Sequence, residues 1–80
     1  MSIATISETI QEKKERLGKR LLELKDKWPV AERGRWSNEN GFNSESIKNS
    51  YMRGKVPKIP VAESLIAAME KYMVDNNISA

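Results

Sequence analysis

Eighty residues with a net charge of +3, neither cysteine nor histidine, and 31% charged side chains make one small domain with a modest core. The chain therefore has no disulfide, no thiolate zinc site, no thiol nucleophile and no imidazole base or ligand, which argues against a hydrolase or a transition-metal enzyme. No apolar run approaches the roughly 20 residues of a membrane span, and MSIATISETI lacks a basic region followed by an apolar one, so a cytoplasmic protein is expected.

The charge is unevenly spread. Gln11 to Lys27 and Trp28 to Lys58 each sum to +3, whereas the two ends together sum to −3. Such a distribution suits a polyanionic partner, although mixed Lys/Glu helices are often only solvated surfaces.

Ile3, Ile6, Ile10, Leu17, Leu21, Leu24 and Trp28 recur at spacings that place them on one helical stripe. The spacing predicts a first helix over 6–27, with Thr5 and Glu8 as a capping box and Pro29 disfavouring helical geometry at Trp28. Gly18 within it costs roughly 1 kcal/mol relative to alanine, so either a neighbour packs close or the helix bends there. A helix of this length exceeds what one small domain needs, and part of the stripe is expected to meet a second copy of the chain.

Residues 29–42 support two readings. In one, Pro29 opens a second helix with Val30, Arg33 or Gly34, and Ser37 along one face. In the other, Asn40-Gly41 is the tight turn of a β-hairpin between Trp36 and Phe42. The helix is preferred because Asn38, Glu39 and Asn43 are poor strand residues.

Asn43 or Ser44 then caps a third helix over 44–53, with Ile47, Tyr51 and Met52 inward and Gly54 left-handed at its end. Val56 to Pro60 reads as extended. Pro60 opens a last helix whose buried face is Val61, Leu65, Ile66, Met69, Tyr72 and Met73, closed by Asp75-Asn76-Asn77, with a loose end at Ile78 to Ala80. Shared spacing assigns Tyr51, Met69 and Met73 to core or contact surface rather than to base stacking or an adaptable binding face.

Helix, glycine turn, short polar helix with an inward isoleucine, then Arg-Gly-Lys and a proline: this order resembles the helix-turn-helix domains of phage repressors and Cro. Gly41 matches the turn glycine, Phe42 the residue after it, Asn43 to Ile47 the start of the recognition helix, and Arg53-Gly54-Lys55 with Pro57 its exit. The likeness covers about 45 residues. It departs at Trp36-Ser37, at Asn40, and in one extra residue between Ile47 and Gly54, which implies a longer recognition helix or a shifted register. A variant with a hairpin, as in winged-helix excisionase-like proteins, is the alternative.

The resemblance implies an all-α, four-helix domain over 1–80 that binds double-stranded DNA as a homodimer and regulates transcription, with no cofactor, metal or small-molecule substrate. On the residues themselves, Ser44, Glu45, Lys48 and Asn49 face outward with lengths that reach base edges, asparagine suiting adenine and lysine guanine. Arg33, Arg35, Asn43, Arg53, Lys55 and Lys58 flank them as phosphate contacts. The rival function is a small interaction module that docks a partner protein on the stripe of the first helix. For catalysis, Glu32, Glu39 and Glu45 have nothing beside them to raise a pKa and no phosphate-binding glycine loop.

Overall fold

A computed structural model describes residues 8–78. Four α-helices follow one another: α1 Ile10–Lys25, α2 Val30–Glu39, α3 Ser44–Asn49 and α4 Ile59–Asp75, with a 3-10 turn over Tyr51–Arg53 between the last two. There is no strand among the described residues, so the all-α expectation holds and the hairpin alternative does not.

The capping box of α1 lies four residues later than the sequence suggests. Thr9 Oγ1 accepts from the Glu12 amide at 3.0 Å, and Glu12 Oε1 accepts from the Thr9 amide at 2.9 Å. The box expected at Thr5, with Ile3 and Ile6, falls outside the described residues. Both T-x-x-E pairs satisfy the same local rule, so spacing alone does not choose between them.

Leu17, Leu21 and Leu24 on α1, with Trp28 just past its end, share one core with Ala62, Leu65, Met69 and Met73 on α4, all buried. The two helices run in the same direction: Lys13 pairs with Glu63 at 3.1 Å and, seven residues on in both helices, Arg20 pairs with Glu70 at 3.0 Å. Spacings of three and four on each inner face, flanked by ion pairs seven apart, give the seam of a short parallel coiled coil. Each fully buried leucine or methionine there contributes about 1.5–3 kcal/mol. A parallel pair needs a long crossover, and α2, α3 and the 3-10 turn supply it. Because the leucines are consumed against α4, the stripe offers no continuous face to a partner protein. Ile10, 70% exposed, is its one surface member among the described residues.

On α4 the missed core residue is Ala62, whose small side chain gives no hydrophobic signal, while Val61, Ile66 and Tyr72 are half-buried. Ile78 is not loose. Its amide donates to the Met73 carbonyl at 2.8 Å past the left-handed Asn77, a Schellman ending that lays the side chain on the core.

Asn40-Gly41 is likewise a helix ending. Gly41 has φ 75°, its amide donates to the Asn38 carbonyl, and the Phe42 amide donates to the Ser37 carbonyl at 2.7 Å. That geometry seats Phe42 on Trp36, the rings stacked with centroids 5.5 Å apart, and so fixes the turn from α2 into α3. Pro29 is the residue before α2 rather than its first.

The third helix ends sooner than expected. Ser50, at φ −124° and ψ −77°, stops α3 after six residues, and its hydroxyl donates to the Ser46 carbonyl at 2.7 Å. Along an unbroken helix Met52 would stand about 140° from Ile47. The break turns Tyr51 and Met52 inward together, both buried, and thereby absorbs the extra residue. The Lys58 amide donates to the Tyr51 hydroxyl at 3.2 Å, tying the following extended segment to this turn.

Candidate nucleic-acid interface

The α3 helix stands at the surface because a single residue, Ile47, anchors it in the core. Opposite that anchor, Glu45 and Asn49 project most directly outward, with Lys48 and Ser46 to either side, all four exposed. Ser46 was not anticipated: a serine between polar neighbours carries no signal of direction until the anchor is fixed. Asn43 caps the helix, its Oδ1 accepting from the Glu45 and Ser46 amides at 2.8 and 3.2 Å. Its oxygen is thus committed locally, leaving the side-chain NH2 for an outside acceptor.

Ser44 does not join the outward set. It is half-buried and its Oγ accepts from Arg33 Nε at 3.3 Å, so it serves as a joint between α2 and α3.

Arg33, Lys48, Asn49 and Arg53 come together on one cleft of about 550 Å³ between the end of α1, the start of α2 and α3. Lys25 joins them there, and Asp26 is the one carboxylate lining it. Lys25 escaped the sequence reading because the turn at Trp28-Pro29 is what folds the end of α1 beside α3.

Arg35, in contrast, is directed away. Two residues along a helix is a rotation of about 200°, so Arg33 and Arg35 face nearly opposite sides. Arg35 pairs with Glu32 in a groove shared with Glu39, Lys71 and Asp75. Lys55 and Lys58 are exposed beyond the 3-10 turn and do not line the cleft.

Pairing sorts the cations. Along α1, Lys13, Arg16 and Arg20 are matched by Glu63, by Glu8, and by Glu23 with Glu70. The hydrogen bond from Arg16 holds the Glu8 carboxyl below the usual carboxylate value, and Glu8 in turn raises Arg16. Hydrogen bonds to Glu70 and then Glu23 raise Arg20. Among the described residues Arg33, Lys48, Arg53, Lys55 and Lys58 have no carboxylate within ion-pair distance. Lys14, Lys19 and Lys27, on or just after α1, are equally without such a partner among the described residues, so pairing thins the positive charge of α1 without removing it, while Arg33, Lys48 and Arg53 stand unpaired beside α3.

Among the described residues no group of acids could hold a metal ion, and no helix is long and apolar enough to cross a membrane. No protein-family model, curated protein or solved structure matches the chain.

Proposed function

We propose that the protein is a sequence-specific double-stranded DNA-binding regulator of transcription, of the kind found in phages and mobile elements. The observation that carries this reading is the gathering of Arg33, Lys48 and Arg53, none paired with a carboxylate among the described residues, beside one short, outward, polar helix, with Lys55 and Lys58 exposed on the segment that follows. Lys48 and Asn49 read bases, with Glu45 available to a cytosine amino group; Arg33, Arg53, Lys55 and Lys58 hold phosphates. Arg35 leaves the set, and Ser44 acts through Arg33. As a homodimer the protein would span two half-sites, and Ile10 and Leu22 are the large apolar residues that α1 leaves exposed for a second copy. A monomeric mass by sedimentation at working concentration removes the dimer.

The test begins with selection of bound sequences from a random duplex pool, followed by anisotropy titrations at several salt concentrations. Arg53→Gln and Lys55→Gln should weaken selected and random duplex alike and lower the salt slope by about one. Lys48→Ala and Asn49→Ala should cost about 1–3 kcal/mol on the selected site and much less on random duplex. Duplex affinity that ignores salt rejects the reading, as does an unchanged ratio of selected to random affinity in both alanine variants.

A further inference from the structure

The cleft beside α3 has more shape than phosphate positioning requires. Its volume of about 550 Å³ lies within the range of small-molecule sites. One wall is apolar, made by Trp28, Pro29, Val30 and Met52, with Val30 68% exposed and Trp28 and Met52 each 7%, and the rim carries Lys25, Arg33, Lys48 and Arg53 against the single carboxylate of Asp26. Among the described residues Lys25 is the one cation within ion-pair distance of that carboxylate, at 4.0 Å. Pro29 gives α2 no side-chain cap, so the positive end of that helix adds to the same field where Pro29 and Val30 meet the cleft. A duplex would meet convex α3 and the rim; the apolar wall would stay unused.

We propose that this cleft binds a purine nucleoside monophosphate. Its phosphate sits among Arg33, Lys48 and Arg53, its ring lies against the Trp28 and Met52 wall, and the Asn49 amide, donor and acceptor together, meets the base edge. The chemistry follows from a wall that wants a flat apolar body and a rim that wants an anion. Lys48, Asn49 and Arg53 also serve the DNA reading, and on that reading nucleotide and duplex exclude one another.

The test is direct binding to the DNA-free protein, followed by amide and indole NMR, with AMP, adenosine, inorganic phosphate and a short Asp/Phe peptide as probes. AMP should saturate, shifting the Trp28 indole and the Lys48, Asn49 and Met52 amides, with adenosine and inorganic phosphate each at least about tenfold weaker. Lys48→Gln should weaken AMP about tenfold, as should Arg33→Gln, and Arg35→Gln should leave it unchanged. Lys48 is exposed and its side chain makes no bond among the described residues, so its variant reports binding even where Arg33→Gln disturbs the joint with Ser44. Absence of saturation, equal affinity for inorganic phosphate, or tighter capture of the peptide overturns the proposal. Duplex affinity is measured separately, so failure of the nucleotide site leaves the DNA reading standing, and failure of DNA binding leaves the nucleotide result intact.

Discussion

Gly18 on α1 and Gly54 after the 3-10 turn touch backbone to backbone. A Cβ on Gly18 would overlap the Gly54 carbonyl oxygen and stand 3.0 Å from its carbonyl carbon, and one on Gly54 would stand 2.9 Å from Leu22 Cδ1. Gly54 has φ 84°, a conformation that other residues adopt at a cost. This contact fixes the height at which the chain leaving α3 crosses α1, and so the placement of Arg53 at the cleft.

Gly18→Ala should therefore destabilise the protein by more than about 2 kcal/mol, although alanine favours a helix by about 1 kcal/mol. Gly34 is the control: it lies inside α2 with nothing within 4 Å of an added Cβ, and Gly34→Ala should stabilise by up to about 1 kcal/mol. Denaturant midpoints of the two variants must move in opposite directions, and a stabilised Gly18→Ala would remove the close approach.

Ser37→Ala should raise stability by about 0.5–2 kcal/mol. The residue is 1% exposed and its Oγ has no hydrogen-bond partner, so the hydroxyl is desolvated without return. Its backbone carbonyl still receives the Phe42 amide in the variant, and the α2 ending is kept. Thermal and urea unfolding should agree on the sign; a loss would mean that the hydroxyl is satisfied in solution.

Leu21 is wholly buried between α1 and α4, and Leu21→Ala should cost about 2–4 kcal/mol. Urea unfolding that finds a loss within about 0.5 kcal/mol would contradict the seam.

The Glu8 and Arg16 pair sets an acid response. Its carboxyl is held below the ordinary glutamate value in the folded protein, so the pair's contribution is present above that ordinary value and is lost as pH falls through the lowered one. Carbon-detected NMR should show the depressed Glu8 midpoint returning toward normal in Arg16→Gln. Amide exchange over the first turn of α1 should quicken through the same acid window, and high salt should shrink the effect because the pair is exposed.

Much of the fold was legible in local pattern. The stripes of Leu17, Leu21 and Leu24 and of Leu65, Met69 and Met73 named two helices and their buried faces, because side chains three and four apart share a face whatever lies opposite. Asn43 as a cap and Gly54 as a left-handed ending were likewise readable, since each satisfies backbone groups a few residues away. Other features needed the partner. Asn40-Gly41 meets the demands of a hairpin turn and of a helix ending equally, and the stack of Phe42 on Trp36 shows which one the chain uses. Ser50 breaks α3 because Tyr51 and Met52 must both turn inward, a requirement set by the core beneath them. The charge count along α1 was correct but did not reveal where the field lies, since Lys13 and Arg20 find Glu63 and Glu70 fifty residues away. Local chemistry determined which segments are helices and which of their faces turn inward; the packing of α1 beside α4 decided which cations of α1 meet a carboxylate, because ion pairing depends on distance in space and not on order in the chain.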